Sequence, residues 1–307
     1  MVICVGIQTN LNNMVTGKIE TILAPISTIT QESEAQNNAW GDFLQETLAL
    51  TKRLFIQLQR RPSTLMAGVI QPFMWLVLFG ALFAKAPQGL FGNDLSYAKF
   101  LAPGVIVFTA FSGALNAGLP VMFDREFGFL NRLLVAPLAS RYSIVAASTI
   151  YIITLAFIQT AVIVGASAFL GAGLPGIAGL SAIALIVFLI VLGVTALSLG
   201  LAFALPGHIE LIAVIFVTNL PLLFASTALA PLTFMADWLQ VIASLNPLTY
   251  AIEPIRYVYL NGDWGINSIV MNTPWLDLSF SSVILVLLAF DALILLMIQP
   301  LLRRRFA

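Results

Sequence analysis

Charge is what this sequence has least of. Only 9% of its 307 residues are charged, 14 of each sign, and the formal net charge is zero. A soluble domain carries roughly a quarter charged residues, so a chain that is 60% hydrophobic cannot clothe a folded surface for water. An ordinary soluble enzyme is excluded. The balanced charge also excludes the basic face that nucleic acid demands. A single cysteine, Cys4, leaves no internal disulfide framework and no thiolate metal cage. The one histidine, His208, falls in a short turn without an HExxH pattern and is expected to be a solvated side chain. There is no GxxxxGK[ST] phosphate loop and no GxSxG elbow. Ser96 and Lys99 have Ser-x-x-Lys spacing but lack the companion motifs, and the Gly262-Asp263 pair lies outside the apolar runs.

What the chain has in abundance is long apolar runs, with a mean hydropathy of +0.98. Six stretches approach or exceed the ~20 residues a helix needs to cross the hydrocarbon core. They are Leu65–Phe83, Phe100–Phe123, Ile144–Leu170, Leu180–Leu205, Leu211–Phe234 and Leu278–Leu302. Strands of a membrane barrel would be about 9–11 residues and would alternate apolar with polar. The predicted fold is therefore an all-α polytopic membrane protein with six transmembrane helices.

Three regions follow. Residues 1–39 are polar, without a sustained period, and read as a mobile cytoplasmic tail. Within 40–61, Trp40, Phe43, Leu44, Thr47, Leu48, Thr51, Leu54, Phe55 and Leu58 recur at helical spacing, opposite Asp42, Glu46, Lys52, Arg53, Gln57 and Arg60. That is an amphipathic helix suited to the membrane interface, closed off by Pro62. Residues 62–305 form the transmembrane domain. With six spans the termini share a side, which then holds Lys18, Lys52, Arg53, Arg60, Arg61, Arg125, Arg132, Arg141, Arg303, Arg304 and Arg305. The other side holds Lys85, Lys99 and Arg256, a split of 11 to 3, so both termini are predicted to be cytoplasmic. On the outer side, Met235–Asp277 is expected to hold two short helices, the second starting at Asn246-Pro247.

Polar residues inside the runs are the next signal. Asp291 falls near the middle of the last run, where a carboxylate costs several kcal/mol unless neutralised or paired. Asn116, Gln159 and Asn219 lie in the second, third and fifth, as pathway linings or interhelical hydrogen-bonding groups. Gly113, Ala114, Ala117 and Gly118 suit close helix packing, within the chain or across a dimer.

The most distinctive stretch joins the second and third runs. It reads Asp124-Arg125-Glu126-Phe127-Gly128, then Arg132-Leu133-Leu134-Val135-Ala136-Pro137-Leu138. Phe127, Leu130 and Leu134 share a helical face, Pro137 ends the helix, and the result is a short amphipathic lever for a partner's groove. Here the sequence resembles the ABC-2 type permeases, the membrane subunits of ATP-driven exporters, especially the daunorubicin-exporter-like branch of bacteria and plastids. Asn246-Pro247-Leu248-Thr249-Tyr250 with Glu253 and Arg256, Arg60-Arg61-Pro62, and Gln71-Pro72 extend the match over roughly Trp40–Arg305.

The resemblance implies that Asp124–Leu138 couples to a separate ATPase subunit, with Trp40–Arg61 as a connecting helix beside it. It implies an outer gate in Asp237–Tyr259, a pathway built from two copies of the chain, and ATP and Mg bound only by the partner. Cargo would be hydrophobic or lipid-like. The setting would be a bacterial inner membrane or an organelle membrane. Phe129 and Asn131 depart from the family's usual Thr and second Glu. Two alternatives remain at this level: an ion-coupled secondary transporter, and a membrane assembly protein that moves nothing.

Overall fold

The computed structural model describes residues 40–83, 97–135, 140–261, 264–273 and 275–306, omitting the side chains of 64, 131, 133, 134 and 301–306. The predicted tail and Pro137 lie outside these residues.

The first helix, α1 (40–60), is followed at once by α2 (Pro62–Leu82). Arg61 sits between them outside helical geometry, and Pro62 opens α2, where its missing N–H leaves nothing unpaired. Then come α3 (Tyr97–Leu115), α4 (Gly118–Glu126), α5 (Phe129–Val135), α6 (Tyr142–Ser167), α7 (Ile177–Ala204) and α8 (His208–Phe224). The chain finishes with α9 (Asp237–Leu245), α10 (Pro247–Leu260), strands β1 (Ile269–Asn272) and β2 (Asp277–Ser279), and α11 (Phe280–Phe306). Among the described residues five helices are long and apolar enough to cross a membrane, and α8 is a shorter apolar helix.

Helix α3 is the centre of the bundle. Fifteen of its nineteen residues are buried, under α2, α6, α7 and α10. Helix α7 lies beside it and carries α11 on its other flank. Lipid offers no hydrophobic drive between helices, so the close pairs depend on small residues and fit. Gly193 faces Asp291 and Gly200 faces Ile298, seven residues on along both helices, so α7 and α11 run side by side in the same direction. Helix α2, by contrast, leaves Met66, Ile70, Phe73, Met74, Leu78 and Leu82 exposed.

Three expectations are corrected. The second run is not one helix, because it breaks at Asn116-Ala117 and restarts at Gly118. Pro120 has no N–H for the ladder across the break, and Ser198 of α7 repairs it. The Ser198 hydroxyl donates to Leu115 O (2.6 Å) and accepts from Gly118 N–H (2.9 Å). The fifth run does not stay helical to Phe234. Helix α8 stops at Phe224, seventeen residues long, three positions after Pro221, and Ser226 and Asn246 then take up carbonyls of its last turn. The last helix starts at Phe280 rather than Leu278, because Asp277–Ser279 pair antiparallel with Ile269–Asn272. That hairpin was not anticipated. Its turn is held by Thr273, whose hydroxyl donates to Leu276 O (2.6 Å) and accepts from Leu276 N–H (2.9 Å). Helix α1 lies partly against the bundle. Thr47 and Thr51 are buried and Leu54, Phe55 and Leu58 pack on the core, while Trp40, Leu44 and Leu48 stay exposed.

A bulkier residue tests the α3 packing. A Cβ on Gly104 would fall 2.5 Å from Ala228 O and 2.8 Å from Ala228 Cα, whereas one on Gly80 of α2 meets nothing within 4 Å. Gly104→Ala is expected to lose about 1–3 kcal/mol, read as a lowered Tm of the purified protein in detergent, with Gly80→Ala close to wild type.

Candidate functional site

Two polar clusters lie at opposite ends of α8, whose 17 residues span about 25 Å at 1.5 Å each.

At the C-terminal end of α7 sits the elbow formed by α4 and α5. Gly128 adopts φ 74°, which a residue with a side chain rarely takes, and this turns the chain from one helix into the next. Just before it stand three consecutive charges, fanned apart by about 100° per residue of helix. Asp124 accepts two bonds from the Arg53 guanidinium, both 3.1 Å, which ties the elbow to α1. Arg53 also lies over the Phe129 ring, 3.9 Å from its centroid. Arg125 donates to the carbonyls of Ala202 (2.8 Å), Leu205 (2.5 Å) and Pro206 (2.6 Å), capping the end of α7. Glu126 accepts from His208 N–H (2.6 Å) and lies 2.5 Å from His208 Nδ1, which places a carboxylate at the start of α8. His208 is therefore not the solvated side chain expected of it. Its ring also leans on Phe123, with centroids 5.2 Å apart.

Of the residues expected to meet a partner, Asp124, Arg125 and Glu126 are engaged within the chain. Phe127, Arg132 and Val135 remain open on the elbow, Phe127 with 79% of its surface exposed and Val135 with 88%. On α1, Trp40, Lys52, Arg60 and Arg61 are exposed, and Phe43 is half-buried with its ring edge-on to Trp40. Leu133 and Leu134 lie on α5.

At the far end of α8, Asn246 organises the elbow between α9 and α10. Its Oδ1 accepts from Leu248 N–H (3.0 Å) as the cap of α10. Its Nδ2 donates to Leu222 O (2.7 Å) and Ala225 O (2.6 Å), closing the end of α8. Pro247 occupies the first turn of α10 and Tyr250 is half-buried on it. Arg256 is buried, paired with Glu253, and donates to Thr227 O. Its guanidinium lies 3.9 Å over the Phe100 ring. Burial pulls that guanidinium below its usual pKa, and the Glu253 carboxylate pulls it back up. Tyr97 Oη donates to Leu229 O (3.2 Å). Together Asn246, Arg256 and Tyr97 pin segment 225–231 against α3 and α10. Tyr97 and the backbone of 225–231 were missed from the sequence, since nothing in an apolar run marks which carbonyls will be exposed.

The polar residues of the runs divide. Gln159 is buried where α2, α3 and α6 meet, in space left by Gly68 and Gly113. Asn219 accepts from Ser112 Oγ (3.1 Å) and joins α8 to α3. Asn116 donates to Ser112 O (2.7 Å) of its own helix beside the break. Gly118 packs on the Ser198 backbone, so the small residues of α3 and α4 serve contacts inside the chain. Asp291 is buried against Gly193, and neither carboxyl oxygen has a hydrogen-bond partner among the described residues. Among the described residues no group of three or more His, Cys, Asp or Glu could hold a metal.

Asn246→Ala removes one helix cap and leaves two carbonyls without their donor. A loss of about 2–4 kcal/mol is expected, measured as a lower Tm and faster proteolysis within 225–231. Asn246→Asp keeps the cap but sets an oxygen against both carbonyls, and is expected to lose at least as much.

Known proteins share this chain's sequence over most of its length. Residues 45–260 match the family model for the ABC-2 type transporter. The transport permease ycf38 of Porphyra purpurea is 57% identical over 252 residues, 82% of this chain and 87% of that protein. The ycf38 permease of Cyanophora paradoxa is 49% identical over 92% of this chain and 97% of its own. More distant is DrrC of Mycobacterium tuberculosis, named a doxorubicin resistance ABC transporter permease, 26% identical over 77% of this chain and 87% of its own. The family model reaches from the middle of α1 to the end of α10, and so takes in both polar clusters: the chain belongs to the ABC-2 type transporter family and is a multi-pass transport permease.

Proposed function

We propose that this permease is the membrane subunit of an ATP-driven exporter, that two copies form the pathway, and that a separate ATPase subunit docks on the elbow. The observation that carries the reading is the elbow itself. A short helix projects beyond the end of α7 with Phe127, Arg132 and Val135 open, braced from behind by α1 through Arg53 and Asp124. Phe127 stacks on Phe123 of α4 (centroids 6.1 Å apart) yet keeps most of its surface open, and an apolar knob flanked by a cation fits a partner's groove. The excess of Lys and Arg at this end supports a cytoplasmic elbow and cytoplasmic termini, with α8 as a sixth, short span. ATP and Mg belong to the partner. The hairpin, α9 and α10 then form the outer gate. The relatives from plastid-bearing algae support an organelle membrane, with a bacterial inner membrane as the other setting.

The doxorubicin resistance in the name of the DrrC relative supports a hydrophobic, lipid-like cargo. Asp291 favours a second reading, ion-coupled transport, because a carboxyl group is buried in a span without a hydrogen-bond partner among the described residues.

A tagged chain purified from its own membranes is expected to bring down an ABC ATPase, and Phe127→Ala with Arg132→Glu to cut that recovery at least tenfold without lowering Tm. In vesicles holding the complex, efflux of doxorubicin as a probe is expected to require ATP. Efflux that persists without ATP but fails in Asp291→Asn selects the ion-coupled reading. Absence of any ATPase, together with unchanged efflux on deletion, selects an assembly role.

A further inference from the structure

We infer that Arg125 and Glu126 bind the elbow to the turn between α7 and α8, so that displacement of the elbow is delivered directly to the start of α8, with His208 as the positioning residue. This rests on the docking of a motor at the elbow and assigns what the charged residues there do.

The geometry is that of a three-way junction. Asp124, Arg125 and Glu126 follow one another on α4, and each reaches a different element: α1 through Arg53, the end of α7 through three carbonyls, and the start of α8 through His208. The partners of Arg125 lie 77 to 81 residues away in sequence, and that of Glu126 lies 82 away, so these are tertiary bonds. Bonds that involve an ionised group and backbone at a helix end are among the stronger ones available. Each charge is directed at the end whose partial charge it opposes, the cation on carbonyls and the anion on an N–H. The ring of His208 adds a second link, since it contacts both Glu126 and Phe123 of the same helix.

Helix α8 makes this junction consequential. It touches the rest of the bundle through α4, α3 and α7, and leaves Ile209, Phe216, Val217 and Phe224 exposed. A helix with so thin a seat moves with whatever grips its end. At its start the grip is Glu126, and at its far end it is Asn246 of the proposed outer gate. A push on the elbow therefore travels along α8 as a rigid rod, while α3 stays locked in the core. Arg125 holds the α7 side of the same turn, so the turn follows the elbow as one body.

The test uses pairs of spin labels on a Cys4→Ser background. One pair, Phe127→Cys with Ile209→Cys, spans elbow and α8 start in the permease alone. The distance distribution is expected to be narrow in wild type and to broaden in Arg125→Ala and in Glu126→Ala. Glu126→Gln, which keeps an oxygen for the His208 N–H, is expected to restore it, and this separates bond loss from misfolding. A second pair, Met66→Cys with Ile209→Cys, is read in the tagged complex with and without a non-hydrolysable ATP analogue. The nucleotide-driven shift is expected in wild type and Glu126→Gln, its loss in Glu126→Ala, and a reduced shift in His208→Ala, which keeps the backbone N–H but loses both ring contacts. An unchanged first distance in both alanine variants overturns the proposal, as does a full nucleotide shift in Glu126→Ala. If the tagged chain brings down no ATPase, the exporter reading falls, while the first pair still decides whether the grip exists.

Discussion

A peptide group without a partner has no water to turn to in the hydrocarbon core, so each interruption of a helix there must be repaired by another side chain. This structure is organised around such repairs. Ser198 bridges the gap between α3 and α4, and Asn246 closes the far end of α8 while it opens α10. At the water-exposed elbow Arg125 and Glu126 cap the end of α7 and the start of α8 in the same way. Arg256 and Tyr97 do the same for carbonyls in and beside the segment that follows α8. Remove Ser198, Asn246 or Arg256 and buried carbonyls lose their donor, each costing about 1–3 kcal/mol.

Packing answers to the same demand from the other direction. With no hydrophobic drive between helices in lipid, contact depends on how near two backbones can come. Gly104 admits the backbone of Ala228, Gly118 admits that of Ser198, and Gly193 and Gly200 admit Asp291 and Ile298. Gly118 thus sits where a repair must be reached and Gly193 where a polar group must, as do Gly68 and Gly113 around Gln159, whereas Gly200 makes room for an aliphatic side chain. Asp291 is the exception. Its oxygens are buried without hydrogen-bond partners among the described residues.

Repairs of this kind also connect. A side chain on α4 that caps α7 and α8 couples those elements as well as satisfying them. Of the residues that read as partner contacts in isolation, Asp124, Arg125 and Glu126 are turned inward, while Phe127, Val135 and the Arg132 between them stay exposed. In the proposed exporter, the outward surface receives the motor and the inward charges pass its displacement on. Stability and transmission then rest on the same bonds.

Residue by residue, some of this was legible and some was not. Scarcity of charge and the lengths of the apolar runs identified lipid as the solvent, located α2, α6, α7 and α11 to within a few residues, and took α3 and α4 together as one run. Asn246-Pro247 announced the start of α10, and the Asp124–Val135 motif located the elbow. Those signals are local, because hydropathy and capping are written in neighbouring residues. Three features depended on groups far apart in the chain: the break at Asn116-Ala117, the early end of α8 and the inward turn of Arg125 and Glu126. Whether a carbonyl needs a donor is decided by which helix ends next to it, and Ser198 stands some eighty residues from the break it repairs. The sequence by itself determined the solvent, the helices and the elbow. Which polar groups are internal repairs and which are left for a partner was decided only by the tertiary structure, because hydrogen bonds are satisfied in space and not along the chain.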